Sequence, residues 1–139
     1  MRRGDWLNKT PDEIADEYGP DGDMDRFLGD ETFRPPGGGE SVDDVRARAA
    51  ACLAADVLPA VGAGECAVVV SHIYVTRTLL TLGLPAGTPV ADVAVPTASV
   101  SVLEFDADGA APPAVAALGV KPALDPADDA RLAAGEAET

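Results

Sequence analysis

The chain has 139 residues, enough for one domain of ordinary size, and its 47% hydrophobic content supports a buried core. Its formal net charge of −14 excludes nucleic acid and anionic membrane surfaces as expected partners, because both require a basic face. No apolar stretch is long enough to cross a membrane and the N-terminus lacks the apolar core of a signal peptide, so we expect a cytoplasmic protein.

A first helix is predicted to begin after Thr10. Threonine at the N-cap, proline at the first helical position and glutamate at the third form a capping box, and Gly19 and Pro20 should end the helix. The following residues 21–39 are rich in Asp, Gly and Pro, which predicts a mostly irregular loop. The large apolar residues expected to hold this loop in place are Phe27, Leu28 and Phe33.

A second helix is predicted after Ser41, which has the hydroxyl of an N-cap residue and is followed three positions later by Asp44. Cys66 opens the next apolar run, and we expect it and Cys52 to be small core residues rather than disulfide partners. The apolar stripe of the second helix consists of Val42, Val45, Ala49, Cys52 and Leu53.

The run that contains the only histidine predicts a buried strand followed by a helix. Residues 68–70 are three valines without alternation, which is typical of a parallel strand buried on both faces. Helical spacing follows and ends at Gly83, where a C-cap glycine belongs. His72 therefore lies at a strand-to-helix junction, where free main-chain N–H groups favour an anion such as phosphate. A lone histidine is also often structural, and the local pattern leaves both interpretations open.

An edge hairpin is predicted further along the chain. Residues 99–105 alternate between apolar and polar, residues 106–109 have the composition of a turn, and a second strand is expected near residues 115–118. From Gly119 onward Ala, Pro, Asp and Glu dominate with little periodicity, which indicates a poorly ordered acidic tail. We therefore predict one domain over residues 1–118 and a tail over residues 119–139.

Three short motifs follow one another along the chain. They consist of Gly4, Asp5, Trp6, Thr10 and Glu13, then Pro36, Gly37, Gly38, Gly39, Glu40, Ser41, Asp44 and Arg48, then Val70, Ser71, His72 and Arg77. In the same order, they resemble motifs of the histidine phosphatase superfamily, the phosphoglycerate-mutase-like proteins. The family patterns are G-D-W-x-G-x-T-x-x-E, P-G-G-E-S-x-x-D-x-x-x-R and V-S-H-x-x-x-x-R. The resemblance implies an α/β fold of three layers, with a mostly parallel sheet flanked by helices and the predicted hairpin at its edge.

The resemblance implies phosphoryl transfer or hydrolysis on a small phosphorylated metabolite, through a phosphohistidine and without a metal or cofactor. His72 matches the second active-site histidine of the family. Ser71, Ile73 and Arg77 accompany it as expected substrate contacts, although Arg77 can alternatively face an acidic neighbour such as Asp92. Ile73 occupies a place where family members often have glycine, which narrows the expected pocket.

Glu40 and Trp6 complete the expected substrate-binding residues, each with a second interpretation. Glu40 either contacts the arginines of the phosphate pocket or is a solvated acid in the first turn of the second helix. Trp6 either forms a wall of the substrate cleft or holds a loop against the core. Arg48 is expected to pair with surface acids rather than with the ligand.

The nucleophile motif of the family has no match in the sequence. The nucleophilic histidine of the family belongs to an Arg-His-Gly motif, which this chain lacks, so the chain resembles a truncated, C-terminal part of a longer phosphatase and is expected to be inactive alone. The alternative is a non-catalytic domain that binds anions or a protein partner. Loss of a central strand would leave sheet edges unpaired, so we expect self-association into a homo-oligomer through an exposed edge.

Overall fold

The computed structural model describes residues 1–19, 24–106 and 111–123, and for Met24, Asp25 and Leu28 only the main chain. These residues combine helices with a small antiparallel sheet, consistent with an α/β fold. None of the described helices has the length and apolar character that a bilayer span needs. The helices are α1 (Pro11–Tyr18), α2 (Met24–Gly29), α3 (Val42–Cys52) and α4 (Ile73–Leu80), and the strands are β1 (Val100–Glu104) and β2 (Ala114–Val120).

Helix α1 begins and ends as predicted. The Thr10 hydroxyl accepts a hydrogen bond from the Glu13 main-chain N–H at 3.3 Å, and the Glu13 carboxylate accepts one from the Thr10 N–H at 2.8 Å. Gly19 ends the helix with φ +55°, a conformation that favours glycine.

The described part of residues 21–39 is mostly irregular, as predicted, but it also contains the short helix α2. Local composition missed this short helix because its stability comes from tertiary packing, and Phe27 is only 5% exposed in the core. Phe33 is buried as predicted. Residues 20–23 and the side chain of Leu28 lie outside the described part of the chain.

Helix α3 also begins with the predicted cap. The Ser41 hydroxyl accepts from the Asp44 N–H at 3.1 Å, and the Asp44 carboxylate accepts from the Ser41 N–H at 3.0 Å. The buried stripe ends at Ala49, and Cys52 is exposed because the chain continues there as a π-helical segment with no buried residue. Cys66 is exposed as well, so the prediction of two core cysteines is wrong.

The predicted hairpin is confirmed. Strands β1 and β2 are antiparallel, with Val100 opposite Val120 and Glu104 opposite Ala114. The Ser101 hydroxyl accepts a hydrogen bond from the Gly119 N–H at 2.9 Å, which ties the two strands together near one end. Residues 107–110 of the expected turn, and residues 124–139 of the expected tail, lie outside the described ranges.

The prediction of a buried parallel strand at residues 68–70 is wrong. These valines lie outside both strands, and Val68 and Val70 are 87% and 93% exposed. A parallel strand needs neighbouring strands and helices over both faces, whereas β1 and β2, the strands of the described chain, pair only with each other. The described residues therefore do not form the expected three-layer, mostly parallel sheet.

Two apolar clusters form the core, and α4 joins them. Tyr74, in the first turn of α4, packs on one cluster, and Leu80, in its last turn, belongs to the other. Helix α4 also packs on α3. The first cluster consists of Trp6, Ile14, Phe27 and Phe33, with Met1 and Tyr18 at its edge, and the second of Leu80, Val93 and Val95, with Leu84 and Leu103 at its edge.

Gly4 should be among the positions where alanine is least tolerated. It has φ +56°, and a Cβ atom there would lie 2.0 Å from the Pro36 carbonyl oxygen. Gly38 is a matched control because its φ is +83° but a Cβ atom would have no neighbour within 4 Å. We expect Gly4→Ala to lower the free energy of unfolding by about 3 kcal/mol and Gly38→Ala by about 1 kcal/mol, measured by urea denaturation. Equal losses would contradict the close approach at Gly4.

Candidate functional site

The first two motifs of the sequence lie side by side. The Asp5 N–H donates to the Pro36 carbonyl oxygen at 2.9 Å, and the Glu40 N–H donates to the Arg2 carbonyl oxygen at 2.9 Å. Gly37 faces the Asp5 side chain so closely that a Cβ atom there would lie 2.0 Å from a carboxylate oxygen. The N-terminal residues and residues 36–41 are therefore held side by side by main-chain hydrogen bonds.

Glu40 is the carboxylate that holds these two segments together. It is 8% exposed, and it accepts hydrogen bonds from the Arg2 N–H at 2.7 Å and from the Arg48 guanidinium at 3.0 and 3.3 Å. The hydrogen bond from Arg48 lowers the pKa of Glu40 and outweighs burial, which raises it. The interpretation of Glu40 as a solvated acid is therefore wrong, and a contact with substrate stays a prediction.

Trp6 lies in the core. It is 2% exposed, and its ring centroid lies 5.6 Å from that of Phe27 and 5.8 Å from that of Phe33. Its indole Nε1 has no hydrogen-bond partner within the described ranges. These contacts favour the interpretation that Trp6 holds the N-terminal loop against the core. None of them indicates that Trp6 forms a wall of a substrate cleft.

His72 is the N-cap residue of α4, as the sequence predicts. Its backbone is extended, with φ −77° and ψ 156°, its side chain is exposed, and its carbonyl oxygen accepts from the Thr76 N–H at 3.0 Å. No side chain among the described residues caps this end of the helix, and the N–H groups of its first turn have no partners within the helix. Next to it, the Ser71 and Thr76 hydroxyls lie 2.8 Å apart and Ile73 is 42% exposed.

Arg77 is half-buried, and among the described residues its guanidinium forms no ion pair. In particular it does not pair with Asp92, and its buried Nε has no acceptor in the part of the chain that the structure describes. Other arginines of this acidic chain, such as Arg34 and Arg48, are bound to carboxylates. Arg77 therefore retains its capacity to bind an anion.

The segments of the first and third motifs meet at the first apolar cluster, and the second motif is hydrogen-bonded to the N-terminal residues. Tyr74, two residues beyond His72, lies 6.4 Å from Phe27 between ring centroids, and Phe27 in turn contacts Trp6. His72 and Arg77 lie on different faces of α4. They are five positions apart, and five residues of an α-helix turn through about 140° more than one full turn. Ser71, His72 and Ile73 form a group by themselves at the helix start.

An interaction that sequence reasoning missed lies near a separate cavity of about 280 Å³. The Glu31 carboxylate binds the Arg46 guanidinium and the Val90 N–H. Burial raises the pKa of Glu31, but these two hydrogen bonds and the charge of Arg46 together lower it by more. Glu31 and Val90 are 59 positions apart, so no local sequence signal could reveal their contact. The cavity is lined by Glu31, Arg46, Thr81, Leu82, Pro85, Gly87 and Thr88, and includes none of the predicted site residues.

One comparison with known proteins gives a match. The family model of the histidine phosphatase superfamily, branch 1, matches residues 1–116, which is most of the chain and includes all three motifs. No curated protein and no solved structure matches. Within the described ranges, no group of His, Cys, Asp and Glu side chains is placed to hold a metal ion.

Loss of the Glu40 charge should destabilise the fold in a pH-dependent way. We expect Glu40→Gln to lower the free energy of unfolding by about 2 kcal/mol at pH 7, because Arg48 and the Arg2 N–H lose a charged acceptor. The folded-state pKa of Glu40 lies below its ordinary value of 4.5, so its contribution is complete above that pH and is lost as pH falls through the lowered pKa. The difference between wild type and variant should therefore shrink in acid.

Denaturation curves at several pH values measure this effect. The control is Glu104→Gln, which removes the same charge from an exposed residue of β1. A constant difference between Glu40→Gln and wild type from pH 7 into acid would show that the charge of Glu40 is not the cause.

Proposed function

We propose, because the chain belongs to the histidine phosphatase superfamily, that it binds the phosphoryl group of a small phosphorylated metabolite at the start of α4. Family membership supports a phosphatase-like function in general. The observation that carries the more specific proposal is the position of His72, whose exposed ring lies beside the uncapped N–H groups of α4.

The start of α4 suits an anion for two physical reasons. The helix has eight residues, Ile73–Leu80, and its first N–H groups bear a partial positive charge that favours phosphate. An imidazolium at His72 would add a donor and a charge that spread over the equatorial oxygens of a transferring phosphoryl group. The Ser71 hydroxyl offers a further donor at the same end of the helix.

Arg77 would complete the positive surroundings. A guanidinium binds phosphate through two parallel hydrogen bonds, and that of Arg77 has no carboxylate partner among the described residues. Side chains on a helix lean toward its N-terminus, so the long Arg77 side chain can extend toward His72 although the two residues leave the helix in different directions. In a chain with a net charge of −14, such a local positive group is necessary to hold an anion.

Catalysis by the family mechanism needs a second histidine as nucleophile. His72 is the only histidine of the 139-residue chain, so this chain would bind phosphate without turnover. The second candidate function, a non-catalytic domain that binds anions, uses the same site and the same residues. The two candidates differ in whether a nucleophile from outside this sequence completes the site.

Phosphate binding tests the site itself. We expect inorganic phosphate to bind the chain with an affinity that falls about tenfold in Arg77→Gln, because one charge-assisted hydrogen-bond pair is lost. Arg3→Gln is the matched control, since Arg3 is exposed and outside the site. Titration followed by ³¹P NMR measures both variants and His72→Ala. Unchanged binding in Arg77→Gln and His72→Ala would contradict the proposed location.

Turnover separates the two candidates. With a chromogenic phosphate ester, the 139-residue chain should show no hydrolysis, because it has no nucleophilic histidine besides His72. A version extended upstream by a segment with an Arg-His-Gly motif should hydrolyse the ester, and His72→Ala should abolish that activity. Hydrolysis by the 139-residue chain that His72→Ala abolishes would require a different mechanism, and an inactive extended version would favour the anion-binding alternative.

A further inference from the structure

Residues 62–73 are all exposed, and three consecutive valines lie within this stretch. Val68 is 87% exposed, Val69 52% and Val70 93%. Within the described ranges, the main-chain groups of these valines make no hydrogen bond, and no residue from 65 to 71 has a positive φ. Free main-chain donors and acceptors beside β-branched apolar side chains are the properties of an open strand edge.

The charge pattern indicates what kind of chain can cover this surface. No charged side chain occurs over residues 66–71, although the net charge of the chain is −14. A charged partner segment would find no countercharge here, whereas an uncharged strand would meet no repulsion. A second copy of this chain offers such a strand, and pairing over residues 67–71 brings no like charges of these segments together.

The segment is also self-complementary in an antiparallel pair. With a two-fold axis at Val69, Val68 lies opposite the partner subunit's Val70, and this arrangement closes at two copies. Side chains alternate between the faces of a strand, so Val68 and Val70 of both copies pack on one face. The same register places His72 opposite the partner subunit's Cys66, with Cβ atoms about 5 Å apart.

We propose that residues 67–71 pair with the same residues of a second copy, which forms a two-fold homodimer through a shared antiparallel strand pair. The pair satisfies the free main-chain groups of the valines and removes their side chains from water. Because a single strand pair is only marginally stable, dimerisation depends on protein concentration. Each copy then contributes the Cys66 thiol to the surroundings of the other copy's His72.

Disulfide crosslinking tests the register. In a Cys52→Ser, Cys66→Ser background, Val69→Cys should form a dimer under mild oxidation, because the two introduced thiols lie opposite each other at the axis. The control is Leu7→Cys in the same background, since Leu7 is apolar and 64% exposed but outside the segment. The proposal predicts severalfold more crosslinked dimer for Val69→Cys, and equal or absent crosslinking would overturn it.

Self-association of the chain without introduced cysteines tests whether residues 67–71 form the dimer interface. Sedimentation velocity over a wide concentration range should show a shift from monomer to dimer, which Val70→Lys abolishes and Leu7→Lys does not. Circular dichroism checks that both variants keep the fold, which is expected because both side chains are exposed. A chain that stays monomeric throughout, or a dimer that persists in Val70→Lys, would overturn the proposal.

Discussion

The buried carboxylate of Glu40 is the interaction on which the arrangement of the described chain depends. A buried charge is stable only when it is paired. The Glu40 carboxylate is paired with the Arg48 guanidinium of α3 and also accepts a hydrogen bond from the Arg2 main-chain N–H. These contacts place the N-terminal residues along residues 36–41. Trp6 then enters the first apolar cluster, on which Tyr74 and therefore the start of α4 pack. The ion pair of Glu40 and Arg48 thus supports the position of His72, although both residues are far from His72 in the sequence.

The features that the sequence predicts correctly are those that depend on neighbouring residues. Thr10 and Ser41 each bond a side chain three positions away, so the starts of α1 and α3 can be identified from sequence alone. The same is true of the hairpin, whose alternation lies within each strand. Residues 68–70 show the limit, because a run of valines is stable as a buried strand only where other strands lie beside it.

In the candidate site, too, the features that depend on neighbouring residues were predictable, and those that depend on contacts across the fold were not. The position of His72 at a helix start is local and was predictable, and so was the match of its surroundings to a family motif. The burial of Glu40 and Trp6 depends on contacts across the fold, and sequence patterns left both open. The lack of an ion pair at Arg77 among the described residues could not be predicted either, because it depends on where each nearby carboxylate lies.

The aromatic contacts of the first cluster have a practical consequence. Trp6 is the only tryptophan of the chain, and it is packed against Phe27, which contacts Tyr74 in the first turn of α4. Its indole emission is sensitive to the polarity and rigidity of this surrounding. The protein therefore contains an intrinsic fluorophore whose spectrum reports whether the helix start at His72 remains docked on the core.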